Sequence, residues 1–291
     1  MIKADSFIAS DGQTIRLWRW PHQEGRNTLF WAHATGFHGR LYQPLLNQLS
    51  DKFNVVAWDM RGHGESDETD ELHQFRNWDT YYHDLGRFLE LEDKPVYLAG
   101  HSVGGMTALA AATLYPKHVK GVFLIEPVIF DRRLGWSFAI AKILGKGHKM
   151  PLAAGAARRR KYFDNKQQAF DNFRSKKAFR SWPDEWLSLY VEYGLKPKGG
   201  RFTLSCRPEW ESRSFAVSEH RPQRFLRSFP SSIPVYVLVG ERDSTFFTGA
   251  RPTMRRHVPH ASIQTVPDSS HFLPMEHPEI IKDWLLDNIR Q

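Results

Sequence analysis

Alternating apolar and polar positions mark the first predicted element of the chain. The segment "SFIASDGQTIRLWRW" alternates on both sides of Asp11-Gly12, which is typical of two strands joined by a tight turn. The apolar runs "TLFWAHATGF" and "FNVVAWDMRGHGES" then predict buried strands that end in glycine-containing loops, and a helical pattern separates them. This order predicts a β-hairpin followed by strand–helix–strand units.

The same rhythm continues to the strand "VKGVFLIEP", stops after Pro127, and resumes at "IPVYVLVGERD". The interval of about a hundred residues contains helical patterns and no convincing strand. We therefore predict an α/β core formed by residues 1–130 and 229–291, with a helical cap inserted at 131–228. Strands that alternate with helices imply a mostly parallel central sheet covered on both faces.

Composition places the chain among soluble proteins. Hydrophobic residues make up 41% of the 291 positions, and no apolar run approaches the roughly 20 residues that a spanning helix needs. The polar N-terminus lacks the apolar block of a signal peptide, so we expect a cytoplasmic location. The only cysteine, Cys206, cannot form a disulfide within the chain.

The net charge of +8 is concentrated in the predicted cap. Residues 131–227 contain 22 Lys+Arg and 9 Asp+Glu, whereas the rest of the chain contains 18 and 23. The run Arg158–Lys161 could contact nucleic acid or anionic lipid, but such a run is usually a solvated face, and we predict no nucleic-acid partner. A basic rim would also attract substrates that bear a carboxylate or phosphate.

The segment "YLAGHSVGGM" places Ser102 between two glycines where a predicted strand meets a predicted helix. A Gly-x-Ser-x-Gly match alone is weak, but this context is typical of a nucleophile elbow, in which glycine avoids a backbone collision at positions 100 and 104. A helix cap is the alternative role for such a serine. We predict that Ser102 is a nucleophile.

A serine nucleophile needs a histidine base and a carboxylate. Asp243 follows the strand "VYVLVG", and His271 lies in a loop between the next strand and the last helix. The order Ser, Asp, His along the chain is the order found in hydrolases that carry a nucleophile elbow. Glu126, which follows the strand "VFLI", is the alternative acid. We predict catalytic residues Ser102, Asp243 and His271.

These motifs together resemble the α/β-hydrolase superfamily. The segments "HATGFHG", "WDMRGHGES", "GHSVGG", "GERD" and "SSHFLPMEHP" occur in the order found in that superfamily and span nearly all of the chain outside the cap. The resemblance implies an oxyanion hole made by the backbone N–H groups of Val103 and Phe37. In the first loop many relatives have His-Gly where this chain has Thr35-Gly36.

The predicted function is hydrolysis of small to medium acyl esters through an acyl-enzyme, without cofactor or metal. Alternatives are carbon–carbon bond hydrolysis, acyl transfer with the same residues, or a non-catalytic binder. Four tryptophans in the cap are expected to fill its core, and one or two of them could line an acyl pocket: Trp136, Trp182, Trp186 and Trp210.

Overall fold

The structure is a computed structural model that describes residues 1–68, 71–246 and 249–289. Its strands are β1 (Lys3–Ile8), β2 (Thr14–Arg19), β3 (Thr28–Ala32), β4 (Asn54–Trp58), β5 (Val96–His101), β6 (Val119–Ile125), β7 (Tyr162–Phe163), β8 (Leu195–Lys198), β9 (Arg201–Leu204), β10 (Val235–Gly240) and β11 (Ser262–Val266).

The helices are α1 (Gln43–Leu49), α2 (Asp79–Leu91), α3 (Val103–Leu114), α4 (Arg132–Ile143), α5 (Pro151–Ala157), α6 (Lys166–Arg174), α7 (Asp184–Gly194), α8 (Pro208–Ala216), α9 (Gln223–Leu226), α10 (Ala250–His257), α11 (Leu273–Glu276) and α12 (Pro278–Ile289). The sequence pattern extends the last helix to Gln291, but residues 290–291 lie outside the described residues.

An eight-stranded sheet forms the core, in the order β1-β2-β4-β3-β5-β6-β10-β11. The predicted hairpin is present, because β1 pairs antiparallel with β2, and β2 pairs antiparallel with β4. The remaining pairs are parallel. The prediction of a mostly parallel α/β sheet is confirmed.

Side chains alternate between the two faces of this sheet. Along β4, Val56 and Trp58 join the apolar cluster under α2 and α3, whereas Val55 and Ala57 join the cluster under α1 and α12. Each face is therefore closed by helices, and successive residues of a strand pack into different clusters. Polar side chains such as those of Ser102 and Glu126 lie where the strands end.

The sequence predicts a purely helical inserted segment, and this prediction is wrong. Strands β7, β9 and β8 form a small antiparallel sheet within the segment. Gly199 and Gly200, both with positive φ (57° and 74°), form the turn between β8 and β9, and this pair was the signal for a hairpin. Basic residues and Pro197 concealed the strand pattern.

The inserted segment packs over the carboxyl ends of the core strands. Trp182 lies against Phe272 (ring centroids 5.5 Å apart), and Tyr190 lies against Phe37 (5.7 Å). Along the described part of the chain, none of the residues between β6 and β10 adds a strand to the main sheet. We propose the limits 131–228 for the cap, as the sequence predicted.

Candidate active site

Ser102 occupies a sharp turn between β5 and α3. Its backbone has φ 59° and ψ −118°, a region that costs a non-glycine residue roughly 1–3 kcal/mol. A Cβ at Gly100 would lie 2.3 Å from the Gly104 carbonyl carbon, and a Cβ at Gly104 would lie 2.2 Å from the Ala32 carbonyl oxygen. Both glycines are therefore required by the close approach of backbone, as the sequence predicted.

His271 lies in the loop between β11 and α11, and its ring contacts the elbow. The ring centroids of His101 and His271 are 4.8 Å apart, and both Ser102 and His271 line the same cavity. Nδ1 of His271 is 3.3 Å from Oε2 of Glu126 and 3.2 Å from Oγ1 of Thr245. In the described part of the chain, no hydrogen bond engages the other ring nitrogen, Nε2.

Glu126 is a fully buried carboxylate that several donors orient. It follows β6 directly and has φ 50°. Its oxygens accept hydrogen bonds from the backbone N–H of Gly240 (2.5 Å), the N–H of Thr245 (2.9 Å) and the hydroxyl of Ser244 (2.8 and 2.9 Å). These donors satisfy the buried carboxylate and hold one oxygen toward His271.

The sequence-based preference for Asp243 over Glu126 is not supported by this geometry. Asp243 is exposed and lines the cavity, but no hydrogen bond or ion pair joins it to His271 within the described residues. It lies three residues beyond the end of β10, in a turn that brings Ser244 and Thr245 to Glu126 instead. Glu126, by contrast, directly follows β6, which pairs with β5, the strand that leads into the elbow.

The N–H of Phe37 is engaged elsewhere. It donates to the carbonyl of Ala34 (3.1 Å) in a turn whose third residue, Gly36, has φ 79°. The N–H of Thr35 donates to no acceptor within the described residues, and Thr35 lines the cavity. The N–H of Val103, at the first position of α3, has no intrahelical partner either. The sequence signal for Thr35 was Gly36 at the turn position that favours glycine.

His101 links three loops, a role that sequence analysis missed. Its Nε2 is 2.8 Å from the carbonyl oxygen of His271, and its Nδ1 is 2.7 Å from the hydroxyl of Tyr42. A carbonyl only accepts, so Nε2 carries the proton, and Tyr42 donates to Nδ1 while accepting from the N–H of Ala34 (3.2 Å). This chain connects the Ala34 loop, the elbow and the His271 loop.

Four histidines near the site are buried: His33, His38, His63 and His101, here called the four buried histidines. Burial lowers the pKa of His38 to about 3 and that of His63 to about 4, and it holds the pKa of His33 and His101 well below the usual value. They are therefore neutral at pH 7. His33 accepts from the N–H of Met60 through Nε2 (2.8 Å), so it orients the loop after β4.

Ser102 and His271 face a cavity of about 960 Å³ between the core and the cap. Its walls are mainly apolar, and the aromatic side chains that line it are Phe37, Trp78, Phe130, Phe138, Phe173, Phe179, Tyr190, Phe215 and Phe272. The four cap tryptophans named above do not line it. Three of them are buried in the protein, and Trp136 is exposed.

One arginine of the basic run enters the cavity wall with its charge paired. Arg159 donates to Glu211 (Nη1–Oε2, 2.5 Å) and to the hydroxyl of Tyr190 (2.5 Å). Arg158 and Arg160 are exposed and line the cavity as well. The attraction of anionic substrates stays a prediction.

Residues 1–68, 71–246 and 249–289 contain no cluster of three or more His, Cys, Asp or Glu that could hold a metal ion. No helix in those ranges is long and apolar enough to cross a bilayer. Burial raises the pKa of the Cys206 thiol well above its usual value, so this thiol is protonated at pH 7.

The chain belongs to the alpha/beta hydrolase fold family, whose sequence profile matches residues 30–278. It is 25% identical to 2-(acetamidomethylene)succinate hydrolase of Mesorhizobium japonicum over 96% of this chain and 94% of that protein. It is 32% identical to monoglyceride lipase of Rattus norvegicus over 42% of each chain.

Solved structures show the same fold. The thioesterase domain from the curacin biosynthetic pathway superposes with a TM-score of 0.79 and 19% identity, covering 98% of this chain and 99% of that chain. These comparisons support hydrolysis as the class of reaction.

Proposed function

We propose that this protein is a serine hydrolase that cleaves carboxylic esters through an acyl-enzyme, with Ser102, His271 and Glu126 as its catalytic residues. The observation on which the proposal rests is the 3.3 Å approach of the buried Glu126 carboxylate to Nδ1 of His271, on the wall of the cavity that Ser102 also lines. Asp243 is replaced by Glu126 in this assignment.

In the proposed reaction the Ser102 hydroxyl attacks the ester carbonyl while Nε2 of His271 takes its proton. Glu126 stabilises the resulting imidazolium. The N–H groups of Val103 and Thr35, the latter in place of Phe37, donate to the oxyanion. His271 then protonates the leaving alcohol, activates a water molecule, and the acyl-enzyme is hydrolysed.

The cavity walls support an acyl substrate with an apolar chain. Burying methylene groups against aromatic side chains is favourable by about 0.8 kcal/mol each. A serine nucleophile suits acyl transfer, because the acyl-enzyme that it forms can be cleaved by water.

The proposal is tested with purified protein and p-nitrophenyl esters of graded chain length. We expect release of p-nitrophenol with a kcat/KM that rises with chain length, and we expect Ser102→Ala to abolish it. A fluorophosphonate probe should label the native protein and not the alanine variant. Labelling without turnover of any ester would favour another acyl substrate, and full activity of Ser102→Ala would end the proposal.

Amide hydrolysis is the second candidate, because the relative from Mesorhizobium japonicum is similar along nearly the whole chain. A succinate derivative carries two carboxylates, which need cations. Arg159 is paired with Glu211 in this cavity, whereas Arg158 is exposed, lines the cavity and forms no ion pair in the described residues, so it is free to bind one carboxylate. An assay with 2-(acetamidomethylene)succinate beside the ester panel decides between the two. Turnover of that compound alone would replace the ester proposal.

A further inference from the structure

Helix α4 of the cap presents a row of large apolar side chains to solvent. Trp136, Ile140, Ile143 and Leu144 follow helical spacing on one face, and Leu152 follows eight positions later in the first turn of α5. Each of these five side chains is between 51% and 84% exposed. We call these five residues the α4 face.

This exposure is concentrated rather than scattered. Of the eleven large hydrophobic residues that are exposed in the described residues, five belong to the α4 face and lie within 17 positions of one another. Single exposed apolar residues are ordinary on protein surfaces, but a contiguous cluster indicates an interaction site. The cluster therefore needs an occupant.

The chain segment that carries the α4 face holds charges of one sign, and two of its cations, Arg159 and Lys161, are paired with Glu211 and Glu209. Residues 132–163 contain nine Lys+Arg and no Asp or Glu. Within the described residues Arg132, Arg133, Lys146, Lys149 and Arg158 are exposed and form no ion pair. An occupant must therefore accept apolar side chains and supply negative charge beside them.

We propose that the α4 face docks on the surface of an anionic phospholipid bilayer. A helix that combines exposed Trp, Ile and Leu with flanking Lys and Arg has the composition of helices that lie in the membrane interface. The apolar row would enter the acyl boundary while the cations contact lipid phosphates and carboxylates. Each such cation strengthens attachment roughly fivefold.

Two other occupants fit less well. A second copy of this chain in a two-fold contact would bring the same uncompensated cations against themselves, which disfavours a dimer through this face. Nucleic acid would match the charge but offers no apolar phase for Ile140, Ile143 and Leu144. The bilayer satisfies both requirements.

The α4 face is also continuous with the cavity of the candidate active site. Leu152 belongs to the α4 face and lines that cavity, together with Met150 and Pro151. Phe138, on the opposite side of α4 from Trp136, also lines the cavity. If the proposed function holds, docking would place the cavity opening at the lipid, where amphiphilic acyl esters reside.

The test measures binding of the full chain to vesicles, independently of catalysis. Protein is sedimented with vesicles of phosphatidylcholine containing about 30% phosphatidylserine, and with phosphatidylcholine alone. We expect binding to the first, weakened by 0.5 M salt, and a blue shift of tryptophan emission that is lost in Trp136→Ala. Ser102→Ala should bind as the native chain does, so a failure of the proposed function leaves this result intact.

Matched variants locate the contact. Ile140→Ser combined with Ile143→Ser should lower the partition coefficient at least tenfold, whereas Leu91→Ser combined with Ile280→Ser, which are exposed apolar positions elsewhere, should not change it. Arg132→Gln combined with Arg133→Gln should lower binding to anionic vesicles by more than tenfold. Thermal unfolding checks that all three variants are folded.

Several outcomes would overturn the proposal. These are no binding to anionic vesicles, equal loss in the Leu91 and Ile280 control, or a dimer in sedimentation equilibrium that the Ile140 and Ile143 variant dissociates. Tight binding of a duplex oligonucleotide with none to vesicles would assign the face to nucleic acid instead.

Discussion

Replacing Glu126 by Gln removes the charge that faces His271 while keeping the shape of the side chain. In the proposed reaction His271 becomes an imidazolium, and the carboxylate oxygen lies 3.3 Å from its Nδ1. With an effective dielectric constant of about 20, a pair of unit charges at that distance interacts by about 5 kcal/mol. Loss of this stabilisation corresponds to a decrease in kcat of three to four powers of ten.

The assay is steady-state turnover of a p-nitrophenyl ester, with Asp243→Asn as the matched control. Asp243 is exposed and has φ 50°, a conformation that asparagine tolerates well, so this variant should fold and keep kcat within about twofold. A large loss in Asp243→Asn together with a small loss in Glu126→Gln would refute the assignment of Glu126.

Stability must be measured in parallel. The new amide NH₂ would face one of the N–H donors that now bind the carboxylate, from Gly240 or Thr245, so the free energy of unfolding should fall by about 1–3 kcal/mol. Urea denaturation with a cooperative transition shows that the variant is folded. The kinetic comparison then reports on catalysis alone.

Three further predictions concern the fold and the positioning of the site. Gly104→Ala should prevent folding or lower the free energy of unfolding by several kcal/mol, because the new Cβ meets a backbone oxygen. The matched control is Gly155→Ala in α5, which has open space around it and should raise the free energy of unfolding by up to about 1 kcal/mol. Urea denaturation measures both. Acidification from pH 7 to 5 should lower Tm by on the order of 10 °C. The four buried histidines stay neutral in the folded state and bind protons in the unfolded state, so each lowers the free energy of unfolding by about 1.4 kcal/mol per pH unit below 6.5. Asp59 acts in the opposite direction, because burial raises its folded-state pKa to about 6. A constant Tm in differential scanning calorimetry would contradict this prediction. His101→Phe should lower kcat by about a hundredfold with KM within about twofold, because His101 acts through the carbonyl of His271; equal changes in kcat and KM would argue against a positioning role.

Local sequence pattern was sufficient for the α/β core. Two-residue alternation and apolar runs identified the hairpin and the strands β3 to β6, because a buried strand must present apolar side chains to both faces of the sheet. The steric demand on Gly100 and Gly104 was likewise visible, because it arises within a few residues of Ser102. The small sheet of the cap was missed, although Gly199-Gly200 marked its turn.

The partner of His271 was decided by tertiary structure. Asp243 and Glu126 both follow strands, and sequence order favoured Asp243, but in the folded chain the turn after β10 brings Ser244 and Thr245 to Glu126, and Glu126 lies 3.3 Å from the His271 ring nitrogen. The Thr35 and Phe37 amides differ for a local reason instead: a hydrogen bond within the turn at Gly36 engages the N–H of Phe37, and no acceptor in the described residues engages that of Thr35. The link from His101 to His271 joins residues 170 positions apart. Sequence pattern therefore determined the elements of the core and the turn at Ser102, because these depend on near neighbours, whereas folding alone determined which distant polar groups meet.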